Sequence, residues 1–133
     1  KPIVLFERHH DHAEIERLYR AADVCMVTSL HDGMNLVAKE FVASRDDEHG
    51  VLILSAFTGA ARELTDALIM NPYDVAQVAT AILTALQMSG EEQGVRMAHM
   101  RRIVREHNVY RWAGNLLSTL AEIRLTKPEQ VEA

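Results

Sequence analysis

The chain has 133 residues, 48% of them hydrophobic, with 14 Lys plus Arg against 19 Asp plus Glu. That length suits one domain or part of a larger one, able to bury about two-thirds of its unfolded surface. A net charge of -5 speaks against a nucleic-acid binder held by bulk charge, and one cysteine excludes a disulfide framework or a multi-thiolate metal site.

The chain opens on Lys1-Pro2 rather than methionine, which reads as a cut inside a longer protein just before a strand. Residues 3–6 (Ile-Val-Leu-Phe) form a short apolar run expected to be a buried strand. Asp11 then stands as an N-cap with Glu14 three residues on, and Ile15, Leu18, Tyr19 and Ala22 fall at helical spacing, predicting a helix over 12–21. Residues 24–27 are again continuously apolar, as in strands covered on both faces. A turn over 29–33, a helix over 34–44, a charged loop and a third strand over 51–54 follow. Thr58-Gly59 opens a short helix to about Leu64, and a fourth strand over 67–70 ends at Asn71-Pro72. Beyond it the pattern is helical only. Val75, Val78, Ile82 and Leu86 mark one helix, Met97, Met100, Val104 and His107 a second, and Trp112, Leu116, Leu120 and Ile123 a third. The Met and Trp stripes read as core, and the polar tail from Thr126, containing Pro128, as frayed. Alternating strand and helix predicts an α/β fold, a parallel Rossmann-like sheet closed by C-terminal helices.

Ligands of such sheets bind outside the carboxyl ends of the strands, where two glycine turns stand out. In the first, 28–40, the amides of Met34, Asn35, Leu36 and Val37 open a helix and make a seat for phosphate or diphosphate. The same residues also read as simple capping by Asp32 or Asn35. Asp32 beside that seat suits sugar hydroxyls. Glu40, on a face shared with Leu36 and Val37, could accept hydrogen bonds from a ribose diol. Lys39 points away and reads as solvated. In the second turn, 55–63, small residues at 59–61 would let a ligand or a neighbouring backbone approach closely, or serve tight helix–sheet packing. The two turns could face one crevice.

The residues Ala22-Asp23-Val24, Val27-Thr28 and the unbroken string from Asp32 to Glu40 resemble the trehalose-6-phosphate synthase family of retaining, GT-B-type glycosyltransferases. Residues 50–55, Phe57, Gly59-Ala60-Ala61, residues 71–74, Met100-Arg101 and Trp112 continue the likeness in order. The resemblance implies transfer of glucose from UDP-glucose to glucose 6-phosphate, with retention and without a metal or other cofactor. It also implies that residues 1–133 are the latter part of a C-terminal, UDP-sugar-binding domain. The helices from about 74 to 124 would then pack on the sheet or toward an N-terminal acceptor domain. Carried over, Asp32 would contact the donor glucose, and the amides of Gly33, Met34, Asn35, Leu36 and Val37 would hold glucose and diphosphate. Glu40 would bind ribose, and His9 or His10 would line the uracil pocket. His31 stands where most relatives are expected to carry arginine. The diphosphate-clamping Arg and Lys lie outside the chain, so the 133 residues alone are expected to be inactive.

Other readings run beside this one. A related synthase could use glycerol 3-phosphate as acceptor, and a non-catalytic nucleotide-sugar module could keep the fold. A phosphorelay receiver lacks its acidic pair and lysine here, and a dinucleotide oxidoreductase lacks G-x-G-x-x-G. His9, His10, Asp11 and His12 are poorly spaced for zinc. Asp46-Asp47-Glu48 reads as a solvated turn, Cys25 as an inert thiol, and the basic side of 99–107 as a solvated face pairing with Glu91, Glu92 and Glu106. No apolar run reaches the roughly 20 residues of a bilayer span, and no signal peptide opens the chain. The expected setting is cytoplasmic, with UDP-glucose as partner, no nucleic acid or membrane, and a homo-oligomer left open.

Overall fold

Three parallel strands, hydrogen-bonded in chain order, make an open sheet in the computed structural model, which describes residues 2–122. They are β1 (Val24–Val27), β2 (Val51–Ser55) and β3 (Leu68–Met70). Val24 pairs with Val51 and Val27 with Leu54, while Ile53 pairs with Leu68 and Ser55 with Met70. The helices are α1 (His12–Ala21), α2 (Leu36–Ser44), α3 (Val75–Gln87), α4 (Gly90–Glu106) and α5 (Val109–Glu122), with a 3-10 turn over Gly59–Arg62.

β2 is buried along its whole length because alternate residues feed two cores. Leu52 and Leu54 pack with Ala38, Phe41 and Val42 of α2 and with Met97 and Met100 of α4. Val51 and Ile53 pack on the other face with Met70, Ala81, Ala85 and Met88. Each such large apolar side chain contributes about 2 kcal/mol on burial. α1, by contrast, buries no residue completely.

α1 is held by the partly buried Tyr19 packed on the first core and by polar contacts. Asp11 caps its start by accepting from the Glu14 amide. The Glu14 carboxylate turns to Arg8 and His10, so only half of the capping box forms. At the far end the buried Arg45 guanidinium, 5% exposed, donates from Nη1 to the carbonyls of Tyr19, Arg20 and Ala22 at 2.9, 2.9 and 2.7 Å. Its other nitrogens pair with Asp47, and Asp46 pairs with Arg20. Two of the acidic residues read as a solvated turn therefore tie α1 to the loop after α2. Gly50, at φ 92, lies where a Cβ would come within 3.3 Å of Arg45 and Phe41.

Three expectations need correction. Residues 3–6 form no strand, and their side chains are 54–79% exposed. Their composition matches a buried strand, but among the described residues no strand pairs with them, so their backbone is left to water rather than to a ladder. The sheet thus has three strands here. In α3 the buried face is Ala81 and Ala85 with Val78 beside them, while Val75 and Leu86 are exposed, so the small residues mark the contact. Trp112, Leu116 and Leu120 of α5 are exposed rather than core, and Ile123 lies outside the described residues, as do Thr126 and Pro128. The methionine stripe of α4 is core. No helix among the described residues is long and apolar enough to cross a membrane.

Candidate functional site

The two glycine turns meet at the carboxyl end of the sheet. Asp32 donates its amide to the Phe57 carbonyl at 3.2 Å, and its own carbonyl accepts from Gly59 at 2.9 Å. Met34 accepts from the Ala60 amide at 2.8 Å, and Asp32 and Thr58 form a parallel bridge. A Cβ on Gly59 would fall 2.0 Å from the Gly33 carbonyl oxygen. Gly59 thus admits a neighbouring backbone, while Ala60 is packed into the core, so close backbone approach and tight packing are both present here.

Within the first turn Asp32 is itself a cap. Its Oδ1 accepts from the amides of Met34 and Asn35 at 3.0 and 2.8 Å, and its Oδ2 from the Asn35 side chain at 3.0 Å. These bonds, led by that from Met34, hold its carboxyl below the usual aspartate pKa. Asn35 sits in the left-handed region at φ 69, a conformation its short polar side chain tolerates, and its Oδ1 caps α2 by accepting from Ala38 at 2.9 Å. The amides of Leu36 and Val37 open the helix ahead of the intrahelical ladder, with no acceptor among the described residues. Capping and an open pair of amides therefore coexist at one turn.

Two clefts flank α2. A smaller one, about 280 Å³, lies against α1 and is lined by His12, Ile15, Glu16, Tyr19, Glu40, Ala43 and Ser44. There the Tyr19 hydroxyl donates to Glu40 Oε2 at 3.4 Å. A larger one, about 700 Å³, runs from Met34 and Leu36 past Lys39 and Glu63 to His107, Arg111 and Trp112. Lys39 Nζ reaches both Glu63 oxygens at 3.0 and 3.1 Å, and His107 Nδ1 lies 3.1 Å from the same carboxylate. Lys39 is thus paired rather than solvated, and Glu40, one turn after Leu36 on the same side of α2, opens on the smaller cleft while Leu36 lines the larger.

His10 packs edge-on against Phe6 at 5.5 Å, with Nδ1 3.1 Å from Glu14 Oε2 at an angle that makes no hydrogen bond. His9 is exposed, and neither is among the residues lining these two clefts, whereas His12 lines the smaller. His31 is exposed beside Asp32 and further lowers its pKa. Among the described residues no three His, Cys, Asp or Glu side chains converge as a metal site would need. Burial raises the Cys25 thiol to about 11, which keeps it unreactive. On the basic side of 99–107, three residues choose other partners than expected. His99 pairs with Asp66, His107 with Glu63, and Arg101 donates to the Ala43 carbonyl. Sequence reasoning missed Tyr19, Glu63 and Arg45 as site supports, since Glu40, Lys39 and the α1 carbonyls they meet lie more than 20 residues away.

Known proteins of the same shape share this arrangement of elements. The chain is 45% identical over 123 residues to a trehalose-6-phosphate synthase of Klebsiella pneumoniae, covering 92% of this chain and 26% of that protein. A solved E. coli structure described as trehalose-6-phosphate bound with UDP-2-fluoro glucose is 46% identical, with a TM-score of 0.81 over 88% of this chain and 26% of that one. An alpha,alpha-trehalose-phosphate synthase (UDP-forming) from Burkholderia xenovorans, in complex with glucose-6-phosphate, is 44% identical with a TM-score of 0.81, covering 86% and 26%. The chain thus spans about a quarter of the length of these relatives. The model of glycosyltransferase family 20 matches residues 1–122, and the chain belongs to that family.

Proposed function

We propose that residues 1–133 are the latter part of the donor-binding domain of a retaining glycosyltransferase that moves glucose from UDP-glucose to glucose 6-phosphate, giving trehalose 6-phosphate. The observation that carries this is the turn at Asp32–Val37, where a carboxylate and two open helix-start amides stand side by side. The amides of Leu36 and Val37 favour an anion there. Asp32 accepts sugar hydroxyls, and on turning to them it frees the amides of Met34 and Asn35, which join that of Gly33 for the glucose and diphosphate. Glu40, one flank away, accepts from the ribose diol. His9 or His10 contributes to the uracil pocket from the segment before α1.

Catalysis on this reading is positioning and stabilisation of the departing diphosphate, without a protein nucleophile or a metal. The amides supply part of that stabilisation, and cationic side chains elsewhere in the full-length protein supply the rest. An N-terminal domain would bring the acceptor, so the 133 residues alone form no trehalose 6-phosphate. The full-length protein would work in the cytoplasm.

Calorimetric titration of the full-length protein with UDP, UDP-glucose and GDP-glucose tests the donor reading. Binding of the uridine nucleotides is expected, and silence from all three would refute it. Synthesis of trehalose 6-phosphate by residues 1–133 alone would refute the half-site reading.

A further inference from the structure

Tyr19 and Glu40 face each other across the smaller cleft, and Tyr19 is the one side chain among the described residues that donates to Glu40. The phenol is held from two directions. Its ring packs edge-on against Phe41 of α2, with centroids 6.0 Å apart and planes at 80°. Its backbone carbonyl is gripped by Arg45 Nη1 at 2.9 Å. Phe41 and Arg45 are both buried, so the hydroxyl projects from a fixed support, while Glu40 reaches it from the exposed side of α2. The other charged group from α1 in this cleft, Glu16, is taken up by Arg20 at 3.4 Å.

We propose that Tyr19 is a positioning residue, whose hydroxyl holds the Glu40 carboxylate in the orientation that accepts both hydroxyls of a nucleotide ribose. The site then separates ribonucleotides from nucleotides lacking those hydroxyls. This rests on the ribose reading of Glu40. A carboxylate on a free chain loses side-chain entropy each time it meets a ligand, and a fixed donor on one oxygen removes part of that cost in advance. The other oxygen remains for the ligand. At 3.4 Å the contact is long for O–H···O, as binding-site contacts commonly are before a ligand arrives. Burial, and secondarily the Glu40 charge, push the phenol up to about 12, so it remains a donor across the physiological range.

The test titrates the full-length protein with UDP and with 2′,3′-dideoxy-UDP, as wild type, Tyr19→Phe, Glu40→Ala and the double variant. Phenylalanine keeps the ring packing and removes only the donor. Tyr19→Phe is expected to weaken UDP by about tenfold, the scale of one hydrogen bond to a charged group, and to leave the dideoxy nucleotide unchanged. On the Glu40→Ala background it is expected to add nothing. Unchanged UDP binding, equal weakening of both nucleotides, or an undiminished effect without Glu40 would each overturn the positioning role. A Glu40→Ala protein that still prefers UDP over its dideoxy form by the wild-type margin would sink the ribose reading itself, whatever Tyr19 does.

Discussion

Glu40 and Glu63 flank the same helix on opposite sides and show what distinguishes a structural carboxylate from one that can serve a ligand. Glu63 is saturated, with Lys39 on both oxygens and His107 on one. Burial alone would raise its pKa, but those hydrogen bonds prevail and hold it below the usual glutamate value. Glu40 meets a single neutral donor at 3.4 Å. The satisfied carboxylate ties α2 to the 3-10 turn and to the end of α4. The unsatisfied one faces a cleft. Both flanks depend on the crossing of the glycine turns, which fixes the start of α2 against the loop after β2.

That dependence can be broken at its root. Gly59→Ala forces a Cβ to within 2.0 Å of the Gly33 carbonyl, a backbone clash with no soft neighbour. It is expected to cost more than about 3 kcal/mol, beyond ordinary overpacking, and to disable both flanks at once. A thermal melt of the full-length protein matching wild type would contradict the crossing.

Arg45→Ala separates the flanks. It removes a buried guanidinium that bonds three carbonyls of α1, for an expected loss of about 3 kcal/mol. Amide exchange should quicken in α1 on the Glu40 flank and stay slow near Glu63. Uniform quickening across both flanks would erase the distinction.

Lys39→Met acts on the other side alone. The pair is 18% and 33% exposed at its two side chains, so after solvent screening about 1 kcal/mol is expected in chemical denaturation. Nucleotide affinity should hold within about twofold, since this pair is not part of the proposed site. A large loss of UDP binding would show that the Glu63 flank also touches the ligand.

The smallest effect is titration of Glu63. Its folded pKa is depressed, so its stabilisation is fully present above the unfolded value of about 4.3 and is lost as pH falls through the folded value. Between pH 5 and pH 3 the wild type should therefore lose more stability than Lys39→Met, compared by melting at each pH. Parallel curves would mean that the pair contributes nothing to acid sensitivity.

Much of the fold was legible because the signals are local. Asp11 announced α1, and unbroken apolar runs announced β1 and β2, since a residue's cap or face depends on neighbours within one turn. The same signal misled at residues 3–6, which are as unbrokenly apolar as β1 but lack a pairing partner among the described residues. At the candidate site, Asp32, Asn35 and the open amides of Leu36 and Val37 were readable from one contiguous string. The partners of Lys39 and Glu40 and the α1 carbonyls that Arg45 holds were not, because each lies 21 to 26 residues distant.

By itself, then, the sequence determined the alternation of strands and helices, the two glycine turns and the membership of glycosyltransferase family 20. Tertiary structure alone decided that one glycine turn seats the other, that Arg45 is buried as a clamp, and that Glu40 and Glu63 take opposite flanks. The reason is physical. Periodicity and capping act within about four residues along the chain, whereas which charges meet across a helix is settled only when the sheet and the turns have set the distances.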